Sequence, residues 1–242
     1  MPPKPKYTKE EIVNAAFELT REKGIDMVAA REVGKRLNTS PSPIFTVWNG
    51  MEELKEEVRK LAKKKYQEYM EGIFDYAPSF KEFGLRWVSF AAEEPNLYQL
   101  LFLSRRETHN PYVRFKQDFA GILTPLVQEV VDTFGLSKAD AEDLLNQMII
   151  FANGVAAFAI TDPDSFSKEA VSHSLSQVCI GIVITDKLKD GSMEMSMAKA
   201  MAESCGGGVM PREKTKACAD EGNSTVGLQG KTVSIQGERE DL

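Results

Sequence analysis

Arg31, Lys35 and Arg36 lie close together, and Ser40, Ser42, Thr46 and Asn49 follow them directly. Guanidinium and ammonium groups beside hydroxyls and an amide form a donor set for phosphate oxygens and base edges. Pro41, Pro43 and the rings of Phe45 and Trp48 are threaded through the same stretch. Upstream, Lys4 and Lys6 stand in an arm stiffened by Pro2, Pro3 and Pro5, the kind of arm that reaches phosphate or a minor groove. Residues for covalent chemistry form no comparable cluster. The chain holds 2 histidines, His109 and His173, and has no HExxH, no GxSxG and no glycine-rich loop after a strand. Gly230-Lys231-Thr232 matches the end of a P-loop, but Thr225 occupies the place of its leading glycine. Cys179, Cys205 and Cys218 are too far apart for a metal knuckle or a disulfide framework and suit a reducing compartment. The expectation is a non-enzymatic, cytoplasmic protein with no metal and no cofactor.

Charge is unevenly placed. Of 242 residues, 30 are Lys or Arg and 36 are Asp or Glu, a net −6 that does not favour polyanions. Residues 1–65 hold 14 basic against 10 acidic side chains, or +4, which leaves −10 for residues 66–242. Apolar residues make up 42% of the chain, enough for a substantial core. They are missing from the end: residues 191–242 carry 8 of the 17 glycines and no aromatic ring, so they bury too little to offset their ordering entropy. The longest apolar run, Met148 to Ile160, is short for a bilayer span and contains Asn153, so no membrane association is expected.

Helical periodicity organises the rest. Thr8-Lys9-Glu10-Glu11 has capping-box spacing, Ile12, Ala16 and Leu19 recur on one face, and Gly24 supplies a stop. A second helix spans about Ala29 to Leu37 and ends at Asn38, a residue that tolerates left-handed backbone. Ser40-Pro41-Ser42-Pro43 opens a short third helix with Ile44, Val47 and Trp48 inward. Asn49-Gly50-Met51-Glu52 launches a long fourth helix to about Phe74, with Leu54, Val58 and Leu61 inward and the lysine run 63–65 solvated. Pro78–Glu94, Pro95–Arg106, Pro111–Phe134, Ser137–Thr161 and Asp164–Thr185 each keep helical spacing between breakers. The fold class is all-α, with about nine helices.

The string Glu11-Ile12-Val13-Asn14-Ala15-Ala16-Phe17-Glu18-Leu19, Lys23-Gly24, Ala30-Arg31-Glu32-Val33-Gly34-Lys35-Arg36-Leu37, Ser40, Phe45, Trp48 and Met51-Glu52-Glu53-Leu54 resembles the DNA-binding domain of the TetR family of transcriptional regulators. The resemblance implies a three-helix helix-turn-helix domain at 1–55, joined by the long fourth helix to an effector-binding and dimerisation bundle at 56–187. Residues 188–242 are expected to be a low-complexity, disordered tail. It also implies a homodimer on a palindromic double-stranded operator, because two recognition helices read two half-sites. A small apolar or aromatic effector releases a repressor of this kind. Lys4, Lys6, Arg31, Ser40, Ser42, Phe45, Thr46 and Asn49 become candidate DNA contacts, Arg31 first among them. Ala29, Phe45 and Asn49 depart from the residues common at those places in the family.

The aromatic-rich middle offers Trp87, Phe90, Tyr98, Phe102, Phe115, Phe119, Met148 and Phe151 as candidate effector-pocket residues, with Tyr98, Gln147 and Asn153 as polar groups. By default each is plain core, and the pocket role is what the resemblance implies for some of them. The polar loop Ser104 to Asn110 is placed to gate the pocket or bind an anion. Small residues near Gly154 and Gly181 allow close helix approach, and Gly154, Ala157, Ile160, Leu175, Val178 and Ile182 are candidate dimer contacts. For Arg31, Lys35 and Arg36 the alternative is an ordinary solvated face. The alternative for the whole chain is a helical protein that binds or sequesters small molecules and carries a degenerate DNA-binding unit.

Overall fold

The computed structural model describes residues 7–104, 111–203 and 209–211. Lys4, Lys6 and His109 lie outside the described residues.

Helix α1, Lys9–Lys23, begins with a complete capping box: the Glu11 amide donates to Thr8 Oγ1 at 3.2 Å and the Thr8 amide to Glu11 Oε2 at 2.8 Å. The Thr8 amide and hydroxyl, both donating to the Glu11 carboxylate, hold it below its usual range. Gly24, at φ 85°, ends the helix. Helix α2, Ala30–Arg36, is followed by Asn38 in left-handed backbone at φ 52°. The next turn comes so close that a Cβ on Gly34 would sit 3.0 Å from the Thr39 carbonyl oxygen and 3.3 Å from Ser40. Gly34→Val therefore forces α2 away from the turn. It is expected to lower the unfolding free energy by about 1–3 kcal/mol in a denaturant titration.

Helix α3 is one turn, Ser42–Phe45, and Pro41 rather than the expected Ser40 hydroxyl precedes it, with no side-chain cap. Helix α4, Met51–Tyr69, stops short of Phe74, and Ile73–Asp75 forms a separate 3₁₀ turn after Gly72 at φ 76°. Its start also differs from expectation: the Asn49 side chain does not cap it, and the Asn49 amide instead donates to Glu53 Oε2 at 2.9 Å. Helix α5 is Ser79–Glu93, and its first free amides are satisfied from a distance. Ser79 N and Phe80 N each donate at 3.0 Å to the Glu129 carboxylate. Glu129→Ala leaves both amides without that acceptor, an expected loss of about 1–3 kcal/mol in thermal or chemical unfolding.

Helix α6, Pro95–Tyr98, runs into a π-helical turn, Gln99–Leu103. The stretch expected as one helix from Pro111 to Phe134 is two: α7, Pro111–Asp118, and α8, Ala120–Phe134. The break falls at Phe119 (φ −118°, ψ 18°), whose buried ring packs 5.0 Å from Tyr66, and Pro125 further weakens the ladder by offering no N–H. Helices α9, Lys138–Thr161, and α10, Lys168–Lys189, carry Ser137 and Ser167 as N-caps.

Part of the stretch expected to be a disordered tail holds regular structure, while residues 204–208 and 212–242 of it lie outside the described residues. Helix α10 continues to Lys189, α11 spans Met195–Glu203 and packs on α10, and Met210–Pro211 pairs antiparallel with Tyr76–Ala77. A two-residue ladder leaves no alternation to read, and the apolar anchors Val209, Ala198 and Met201 are isolated in sequence.

The described chain is mostly helical, with eleven α-helices among the described residues. One apolar core runs from Ile12 to Leu175 with no interruption near residue 55, because α1 packs on both α4 and α6. Helix α9 is long and apolar enough to cross a membrane by length and composition, yet Leu145, Ile149, Ala152 and Ala156 pack in the core.

Candidate DNA-contact surface and ligand cavity

The basic residues of α2 differ in what they touch. Lys35 Nζ reaches Glu32 Oε1 at 2.6 Å, and Arg36 is bound by both oxygens of Glu22 at 2.7 and 2.8 Å. These partners hold the Glu32 and Glu22 carboxyls below their usual range. Arg31 is exposed and makes no ion pair among the described residues, so its guanidinium is free for an external anion.

On α3 and the turn before it, Ser40 and Ser42 are exposed, and Phe45 is 56% exposed despite its size. Trp48 is 5% exposed, with Lys9 Nζ 4.6 Å over its ring, so it anchors α3 as core. Two candidates are already engaged within the chain. Thr46 Oγ1 donates to the Pro43 carbonyl at 2.6 Å, and Asn49 Nδ2 to Glu53 Oε2 at 3.2 Å.

Along α4, from Arg59 to Lys63, a cavity of about 350 Å³ opens between α4, α5, the π-helical turn, α7 and α9. Trp87, Phe102, Phe115 and Phe119 line it, as the sequence predicts. They are stacked edge to face or tilted, with Trp87 and Phe102 centroids 4.5 Å apart and Trp87 and Phe115 5.4 Å apart.

The other four predicted pocket residues do not line this cavity. Phe90 is fully buried against Tyr66 and Tyr69. Tyr98 is fully buried behind the wall, where its hydroxyl accepts from Trp87 Nε1 at 2.8 Å and donates to Asn153 Oδ1 at 2.5 Å. Burial raises the Tyr98 hydroxyl above its usual range. Met148 and Phe151 are half-buried and packed on the core. Of the polar groups, Asn153 lines the cavity, whereas Gln147 is exposed and donates to Asp143.

Charge at the cavity is the largest difference from expectation. Arg59, Lys60, Lys63 and Arg114 line it together with a single carboxylate, Asp118. Lys63, expected in solvent, instead bonds Asp118 Oδ1 at 2.9 Å and lies 5.7 Å from the Phe119 ring centre. The signal was present as two four-residue spacings, Arg59 with Lys63 on α4 and Arg114 with Asp118 on α7. Tyr66 was also missed. It sits at the hub of the Trp87, Phe90, Phe102 and Phe119 rings, 1% exposed, and its hydroxyl has no hydrogen-bond partner.

No family model, curated protein or solved structure matches this chain.

The connection between cavity and N-terminal helices is short. Leu101 and Phe102 of the π-helical turn line the cavity, and that turn continues α6. At the other end of α6, Asn96 Nδ2 donates to the Arg21 carbonyl at 2.8 Å, while Arg21 Nε bonds Glu94 Oε2 at 2.9 Å. Helix α4 is the second link, since it starts beside Trp48 and carries Arg59 and Lys63 to the cavity.

The predicted helix-packing face of α9 and α10 divides. Gly154 and Ala157 are exposed, and a Cβ added at Gly154 or Gly181 would meet nothing within 4 Å. Ile160, Val178 and Ile182 are half-buried. Leu175 is a correction: it is 2% exposed and its methyls lie 3.1 Å from the Cβ position of Gly84 on α5, so it belongs to the chain's own core. Ile150 and Phe158, which sequence reasoning did not select, are 67% and 61% exposed on α9, one turn either side of Gly154.

Proposed function

We propose that this chain is a ligand-responsive transcriptional regulator of the TetR type, acting as a homodimeric repressor. The observation that carries the reading is the pairing, in one continuous core, of a short helix–turn–helix bearing a free Arg31 with an aromatic cavity linked to it through α6 and α4. Helix α2 and the α3 turn present Arg31, Ser40, Ser42 and Phe45 to the duplex, with Arg31 bridging to guanine or phosphate and Phe45 packing on a thymine methyl. Thr46 and Asn49 contribute after giving up their intrachain acceptors.

One such unit reads few base pairs, so the exposed Ile150–Gly154–Phe158 face of α9, with Gly181 of α10, forms a two-fold interface that spaces two units on one side of the duplex. A ligand in the cavity displaces the π-helical turn. Through Asn96 and Glu94 that displacement moves α1, and the ligand-bound conformation no longer matches the half-site spacing. The second reading, a small-molecule binding protein with a degenerate DNA unit, is favoured by the intrachain engagement of Lys35, Arg36, Thr46 and Asn49.

Selection from a randomised duplex pool by the full chain separates the two. The regulator reading expects enrichment of an inverted repeat. A pool that shows no sequence enrichment supports the second reading.

A further inference from the structure

We infer that the cavity takes an amphipathic anion: a flat aromatic or short aliphatic body bearing a carboxylate or phosphate. This deepens the sensor reading of the same cavity, rests on it, and adds an anionic group to the small apolar or aromatic effector expected from the sequence. The rings of Trp87, Phe102, Phe115 and Phe119 supply a surface for the body. They do not explain the four cations beside them.

Arg59 and Lys60 pair with Glu56 and Glu57, acids that lie outside the cavity lining, so their charge is balanced from the solvent side of α4. Lys63 and Arg114 share the single carboxylate of Asp118, at 2.9 Å and 3.7 Å. The lining therefore carries more positive than negative charge, which raises the local concentration of an anion in the cleft. Arg59 adds directional donors. Its side chain is 19% exposed and lines the cavity, and its planar guanidinium fork suits a carboxylate or phosphate. Ligand oxygens therefore sit against Arg59 and Lys63 at the α4 wall, and the body lies over Phe102 and Phe115.

Calorimetric titration of the full chain, without DNA, with 2-naphthoate, 2-naphthyl phosphate and neutral 2-naphthalenemethanol tests the inference. The expected result is that at least one anion binds about tenfold or more tighter than the alcohol. That preference falls with added salt and is lost in Arg59→Met and reduced in Lys63→Met, each checked for native helicity and melting. The two anions distinguish carboxylate from phosphate as the head group. Equal or tighter binding of the alcohol, a preference that survives in both variants, or no binding of any of the three overturns the inference. Because DNA is absent, loss of operator recognition in a separate assay leaves this result intact, and the reverse also holds.

Discussion

Arg31→Ala weakens binding to the enriched inverted repeat by about 1–3 kcal/mol at each half-site, which for two half-sites is at least about thirtyfold. The magnitude follows from geometry. Arg31 is the α2 cation with no ion pair among the described residues, so the guanidinium reaches the duplex without first releasing a carboxylate. Lys35→Ala and Arg36→Ala have smaller effects, because Glu32 and Glu22 compete with phosphate for those cations. The three variants keep the wild-type melting temperature, since all three side chains are on the surface. Polarisation titrations on one labelled duplex at fixed salt give the ranking. Arg31→Ala binding as tightly as wild type excludes α2 as the reading element.

The second large effect belongs to Phe158. This ring is 61% exposed on α9, meets Phe166 at a centroid distance of 6.1 Å, and is flanked by open space over Gly154. Ile150 and Phe158, uncovered on one face of α9, are the kind of exposed apolar side chains that an association surface covers. Phe158→Asp places a charge at the centre of the proposed two-fold interface, where truncating an aromatic anchor costs about 2–4 kcal/mol. The dimer constant is expected to weaken by about thirty- to a thousandfold, as read by sedimentation at micromolar concentration. Operator affinity falls with it, because the second half-site then binds without the effective concentration that the dimer supplies. The folded monomer survives, since the side chain contributes little to the intrachain core. A wild-type chain that sediments as a monomer, or a Phe158→Asp chain that remains dimeric, removes this interface from the account.

The parts of the fold that were legible in the sequence share a physical property: their signal is local. The capping box from Thr8 to Glu11, the stop at Gly24 and the left-handed Asn38 each follow from a few adjacent residues, and each is present. Periodicity correctly placed Trp48 inside, and ring content led to Trp87, Phe102, Phe115 and Phe119.

What was not legible depends on groups far apart in the chain. Glu129 capping α5, Met210–Pro211 pairing with Tyr76–Ala77, and Leu175 against Gly84 are all contacts between distant residues. The break at Phe119 arises because a buried ring outweighs the helical pattern on either side of it. Cavity charge was hidden for another reason. On α4 the cations alternate with Glu56 and Glu57, a pattern that reads as a solvated face until α7 brings Asp118 and Arg114 opposite. The same limit applied on α9, where Gly154 drew attention as a small residue while nothing in the sequence set the exposed Ile150 and Phe158 apart from their apolar neighbours.

Taken together, these contacts describe a chain in which helices α1 to α3 and the walls of the cavity share one core. Arg21 is the joint: its carbonyl accepts from Asn96 and its guanidinium holds Glu94, both at the start of α6. A displacement of the π-helical turn at the other end of α6 has a direct mechanical route to α1, the helix on which α2 packs.

The claim on which the rest depends is sequence-specific DNA binding by the α2–α3 surface. The most direct measurement is a polarisation titration of the wild-type chain against the enriched duplex and a scrambled duplex of equal length and composition, at physiological ionic strength. The account predicts that the enriched duplex binds about a thousandfold or more tighter than the scrambled one. Equal affinity for the two duplexes contradicts it.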